Sequence, residues 1–145
     1  MSNQSELLKD VIAKIEAAVD TDDVEYVEMD CMEELEAAGV GQEAIVPLLG
    51  IFERHPVSDF GIPGDIMHFV EAFDDNVYFP LLLESFERRP SVTTVWAVNR
   101  ILNVTKKPQE RRHMLGLMET ALTREDVESV VKEQIQDVLD YQSGK

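Results

Sequence analysis

Pro47-Leu-Leu-Gly-Ile-Phe-Glu-Arg-His-Pro56 and Pro80-Leu-Leu-Leu-Glu-Ser-Phe-Glu-Arg-Arg-Pro90 are two versions of one pattern, the second with a single inserted residue. Each opens on Pro-Leu-Leu and closes on Phe-Glu-Arg-X-Pro, and the closing prolines lie 34 positions apart. Proline disfavours helical geometry in the residue before it, so both versions read as helices that stop there. Stepping the same distance back and forward lands at Asp22 and Arg124, two more boundaries in the periodic pattern. Units of about 34 residues holding two helices each have the size of stacked helical repeats. Two independent helices with the same start and stop signals would give the same likeness.

Outward from these copies, apolar residues recur with the helical period and alternation of period two is nearly absent. The first helix is expected over Glu6–Val19, with Leu8, Ile12, Ile15 and Val19 on one face. The second spans Asp22–Ala38 and is closed by Gly39, where a left-handed residue ends helices. The third runs Gln42–Arg54. Pro63 is placed to open a fourth as its first residue, with Ile66, Phe69, Val70 and Phe73 inward. Val77–Arg88 makes the fifth; Ser91 caps a sixth over Val92–Leu102, ending near Asn103. Pro108 starts a seventh over Gln109–Leu122. Thr123 with Asp126 forms a capping-box pattern for an eighth, striped by Val127, Val130, Val131, Ile135, Val138 and Leu139. The expected fold is all-α: eight helices in four antiparallel pairs, a HEAT-like short right-handed array forming a single domain over residues 1–145.

Charge is spread unevenly over these helices. No lysine or arginine occurs between Lys14 and Arg54, while ten carboxylates fall between Asp20 and Glu43. Residues 1–50 hold 13 acidic and 2 basic side chains; residues 51–145 hold 16 and 11, for a net charge of −16. Such crowding opposes a compact state through self-repulsion. It is nonetheless carried on an amphipathic helix, because Val24, Val27, Cys31, Leu35 and Ala38 recur through it at helical spacing. Opposite that stripe fall Asp22, Glu25, Asp30, Glu33 and Glu36, with Tyr26 and Met29 among them. Surface helices carry stray apolar residues without consequence. The alternative is a protein-binding face: interface cores are enriched in Tyr and Met while charges steer the encounter. The partner implied is basic.

Composition narrows the function further. With 44% hydrophobic residues the chain is not disordered. Its one cysteine excludes a disulfide framework, and Cys31 on the inner stripe reads as a buried thiol in a reducing cytosol. Met-Ser-Asn-Gln-Ser at the start carries no secretory signal pattern, and the densest apolar stretch, Val77 to Phe86, is interrupted by Pro80 and Glu84. A cytoplasmic protein is expected. With an isoelectric point near 4.4, neither nucleic acid nor an anionic membrane is an expected partner.

Catalytic readings find little support. His68 and Glu71 stand at a spacing that could supply two metal ligands, yet no second such pair exists, so no metal is expected. No Gly-X-Ser-X-Gly elbow or phosphate-cradling glycine loop is present. Gly61-Ile-Pro-Gly64 leads into a helix whose exposed amides could hold an anion, but Asp65 would repel it. Asn99 faces inward with Val92 and Val95 and needs a partner, in the loop Phe60–Pro63 or at a neighbouring helix end. Arg100 is expected to pair with a carboxylate of a neighbouring unit. Arg88-Arg89 and Arg111-Arg112 are short basic pairs near helix ends. An enzyme is not expected, nor a cofactor.

Three segments together, Phe60-Gly-Ile-Pro-Gly-Asp-Ile-Met-His-Phe-Val-Glu71, Tyr78-Phe-Pro-Leu-Leu-Leu-Glu-Ser-Phe-Glu-Arg-Arg-Pro90 and Val95-Trp-Ala-Val-Asn-Arg-Ile-Leu-Asn103, resemble small helical immunity proteins of bacterial polymorphic toxin systems, including contact-dependent growth inhibition. The likeness covers residues 60–103 and not the acidic N-terminal third. It implies a cytosolic inhibitor that binds a cognate toxin domain, often a nuclease. Nucleases need a basic groove for the phosphate backbone, which an acidic surface could occlude. The expected contacts are Asp22, Glu25, Tyr26, Met29, Asp30, Glu33 and Glu36. The alternative is a helical-repeat adaptor or scaffold that binds a basic protein.

Overall fold

The periodic pattern produces helices throughout. The computed structural model describes residues 2–61 and 64–144, and among these it contains eight α-helices and no strand. They are α1 (Ser2–Ala18), α2 (Val24–Ala37), α3 (Ile45–Arg54), α4 (Gly64–Glu71), α5 (Asp75–Arg88), α6 (Val92–Val104), α7 (Pro108–Leu122) and α8 (Ser129–Gln142). A 3-10 turn, Gln42–Ala44, leads into α3. The expected opening of α4 by Pro63 lies outside the described residues.

Several boundaries differ from the sequence expectation for local reasons. α1 begins at Ser2, and its buried residues are Val11, Ile15 and Ala18, with Leu8, Ile12 and Val19 only partly covered. α2 begins after Asp22, which sits in the preceding turn, and Ala38 is exposed beyond its end. Gly39 does adopt the left-handed backbone (φ 73°) that terminates it. The capping box expected at Thr123 and Asp126 does not form. Arg124 Nε and Nη2 donate to the Asp126 carboxylate at 2.9 and 2.8 Å, Thr123 Oγ1 donates to the Thr120 carbonyl, and α8 starts only at Ser129. Val127 is buried ahead of that helix, whereas Val130 is exposed. A capping box does occur at α6: Ser91 Oγ accepts from Thr94 N and Thr94 Oγ1 accepts from Ser91 N, each at 3.1 Å.

The helices pack in two layers. The odd-numbered helices contact in series, α1 on α3, α3 on α5 and α5 on α7; in the other layer α2 lies on α4 and α6 on α8. The pairs α1–α2, α5–α6 and α7–α8 join the layers, and α4 is held chiefly by α2. Between the layers lies a continuous apolar core that includes Ile15, Leu35, Leu48, Phe52, Phe86, Val98 and Ile135. Full burial of each such side chain contributes about 1.5–3 kcal/mol.

The repeated Phe-Glu-Arg segment has the same structural role in both copies. Phe52 and Phe86 are both buried, and each following arginine reaches back to the preceding odd helix. Arg54 Nε and Nη2 donate to Glu16 at 2.9 and 3.0 Å; Arg88 Nε and Nη2 donate to Glu53 at 3.1 and 3.0 Å. Arg124 continues the series by donating to the carbonyls of Glu87 (2.6 Å) and Arg88 (3.0 Å). Guanidinium groups at the ends of α3 and α5 also suit the helix dipole there. Burial thus sets the stack, and the arginines fix its register.

Candidate functional site

α2 carries the expected acidic face. At about 100° per residue, Val24, Cys31 and Leu35 turn inward and are buried, and Val27 is partly buried. Tyr26 is 67% exposed and Met29 41%. Glu25, Asp30, Glu33 and Glu36 are exposed on the same helix, and Asp22 is exposed in the turn before it. Six of the seven residues therefore share one helix face, with Asp22 at its edge.

These carboxylates stand close together without a cation, whereas the carboxylates that join neighbouring helices are paired. Glu16, Glu53, Glu71 and Glu128 are taken by Arg54, Arg88, Arg100 and Arg89, and Asp126 by Arg124. Among the described residues the one ion pair that reaches α2 is Lys14–Glu34 at 3.4 Å, on its flank. Among the described residues Asp22, Glu25, Asp30, Glu33 and Glu36 have no ion pair. Glu34 and Glu36 also occupy the last turn of α2, which holds no basic residue, although the dipole there favours cations. Like charges at i, i+3 or i, i+4, such as Asp30–Glu33, Asp30–Glu34 and Glu33–Glu36, each cost about 0.2–0.5 kcal/mol. This face opposes the helix that carries it.

One acidic residue of α2 points the other way. Glu28 is fully buried, with Oε1 accepting from Ile66 N at 3.4 Å and Oε2 without a hydrogen-bond partner among the described residues. It thereby satisfies an amide in the first turn of α4 from a different helix. Burial pushes its pKa up to about 8; the Ile66 amide pulls down, while the charges of Asp65, Glu25 and Asp59 add to the rise. The turn before α4 is shaped around these carboxylates. Gly61 (φ 91°) and Gly64 (φ 81°) hold left-handed backbone, and a Cβ at either would lie 3.1 Å from an oxygen of Glu25 and of Glu28 respectively. Glu25 is therefore shared between the outward face and this turn. The sequence reading missed Glu28, yet its position on α2, between Leu35 and Met32 around the helix axis, was the available signal.

The remaining candidates are accounted for structurally. Glu71 accepts two bonds from Arg100 at 2.9 and 3.0 Å, the pairing expected for that arginine, and so is not presented with His68 as a ligand pair. Arg100 also lies over Trp96, 5.0 Å from the ring centroid. His55 Nε2 lies 2.9 Å from Glu16 Oε2, and among the described residues no three His, Cys, Asp or Glu side chains are grouped to hold a metal. Of its two expected partners, Asn99 meets a neighbouring helix end. Its Oδ1 accepts from Gln142 Nε2 at 2.7 Å, at the end of α8, and Arg111 Nη2 donates to Gln142 Oε1 at 3.0 Å. Cys31 is buried and free, and burial raises its pKa. No described helix is long and apolar enough to cross a membrane. No protein family, curated protein or solved structure matches the chain.

Proposed function

We propose that this protein is a cytoplasmic, non-enzymatic immunity protein that neutralises a basic toxin domain, of nuclease type, through the outward face of α2. The observation that carries this reading is the crowd of carboxylates around exposed Tyr26 and Met29 on one face of α2, where the one ion pair among the described residues, Lys14–Glu34, lies on the flank. Charge of one sign on a rigid helix raises the rate of encounter with an oppositely charged protein, as an inhibitor that must capture its toxin early requires. Tyr26 and Met29 provide the apolar anchors, and the surrounding carboxylates set orientation. A basic groove that binds the phosphate backbone is the complementary surface. The resemblance of residues 60–103 to immunity proteins points to the same partner class.

The test is co-expression with the product of the gene immediately upstream, followed by calorimetric titration of the pair. Tyr26→Ala and Met29→Ala are expected to cost about 1–3 kcal/mol of binding each. The set Asp30→Lys, Glu33→Lys and Glu36→Lys is expected to lower affinity at least about tenfold and to flatten its salt dependence. Affinity unchanged in both sets would remove α2 from the interface. A helical adaptor is the second reading, favoured by the serial stacking of odd helices through Glu16–Arg54 and Glu53–Arg88; a binding partner encoded elsewhere, with no toxic activity, would select it.

A further inference from the structure

A second surface, in the layer that does not contain α2, has the form of a receptor. α3 packs closely along α5, but α7 touches α5 only lightly, and a groove of about 870 Å³ opens between them with α6 as its floor. Its walls are apolar: Phe79, Pro80 and Leu83 from α5, Met114 and Leu117 from α7, Ile101 from α6. Its rims are acidic, with Asp75, Glu84 and Glu87 on one side and Glu110 on the other. Lys107, the one lysine on the rim, lies 3.8 Å from Glu110.

The spacing of the wall residues identifies the shape that fits. On α5 they fall at 75–76, 79–80, 83–84 and 87; on α7 at 109–110, 113–114 and 117. Both are rows four residues apart, the ridges that receive another helix in ridges-into-grooves packing. The α5 wall, from Asp75 to Glu87, extends for about 18 Å, three turns. An apolar floor between acidic rims selects a helix with an apolar stripe and Lys or Arg on its flanks. A second copy of this chain is a poor occupant, since its net charge of −16 would meet the same acidic rims. We propose that the α5–α7 groove is a docking site for a basic amphipathic helix of a protein partner, separate from the α2 face and independent of the toxin reading.

The probe is a fluorescein-labelled peptide of about 18 residues, long enough to form a helix, with leucine at i, i+3, i+4 and i+7 and lysine elsewhere. Its control is a scrambled peptide of identical composition, and anisotropy is read at about 0.15 M ionic strength. The patterned peptide is expected to bind at least about tenfold tighter than the scrambled one, a difference of about 1.4 kcal/mol. Leu83→Lys or Leu117→Lys is expected to abolish that margin, whereas Tyr26→Ala with Met29→Ala leaves it intact. In the wild type, hydrogen exchange is expected to slow over residues 75–87 and 109–117 on peptide addition, a readout that does not depend on the variants folding. Equal binding of the two peptides, protection confined to α2, or loss of the margin in the Tyr26/Met29 variant would overturn the proposal. So would a wild-type dimer dispersed by Leu83→Lys. Protection confined to α2 would assign the peptide to the acidic α2 face instead, and the toxin interface itself is tested separately with the upstream gene product.

Discussion

Glu28→Gln is expected to raise the thermal midpoint at about pH 8.5 by roughly 10 °C and to leave it nearly unchanged near pH 4.5. The unfolded carboxyl titrates near 4.5, whereas the folded one holds its proton to about 8 because burial disfavours the charge. Between those values the unfolded chain has released a proton that the folded chain retains, so each rise in pH favours unfolding. The stability contributed by the neutral form is complete below about pH 4.5 and is lost as pH rises through about 8. A rise from 4.5 to about 8 corresponds to at most about 5 kcal/mol. Glutamine keeps an oxygen for the Ile66 amide and never ionises, so it removes the penalty without removing the bond. Thermal melts of both proteins over this pH range measure the effect. A difference that does not vary with pH would mean that the Glu28 carboxyl is solvated.

Phe52→Ala and Phe86→Ala are expected to cost about 3–5 kcal/mol each, a large share of the roughly 5–15 kcal/mol that holds a domain together. Both rings are buried, at 0% and 1% exposure, at equivalent places in the repeated segment. Each substitution removes a ring from the interior two residues before the arginine that ties the helix to the preceding odd helix, so the cavity cannot collapse without disturbing the stack. Phe52 also packs edge-on to Phe60, with centroids 5.1 Å apart, an arrangement worth about 0.5–1.5 kcal/mol beyond burial. Phe52→Ala should therefore be the more damaging of the two by denaturant unfolding. A loss below about 1 kcal/mol at either position would contradict the equivalence of the two copies.

The exposure of Tyr26 and Met29 was legible because it follows from position around one helix, which depends on nearby residues alone. Helix ends marked by Pro56, Pro90 and Pro108 were legible for the same reason. Glu28 shows its inward place only around the helix axis, between Leu35 and Met32, and not from its neighbours Val27 and Met29 in sequence; that its carboxyl is enclosed depends further on the approach of α4. The need of Asn99 for a partner could be read, but the partner, Gln142, lies 43 positions away. At Thr123 the local pattern suggested a cap; a guanidinium that must also reach the carbonyls of Glu87 and Arg88 claims Asp126 instead. The α5–α7 groove has no local signature, because it is a gap between elements and exists only once both are placed.

If α2 is the binding face proposed above, its crowding makes the free protein and the complex respond oppositely to electrolyte. Added ions screen the repulsion among Asp30, Glu33, Glu34 and Glu36 and so strengthen the unbound fold, while the same ions weaken any association drawn by that charge. A cationic surface seated on α2 relieves the strain more completely than dissolved ions do, because it stays in place. On that proposal the protein is at its most heat-resistant when engaged, and its melting behaviour would report whether a partner is bound.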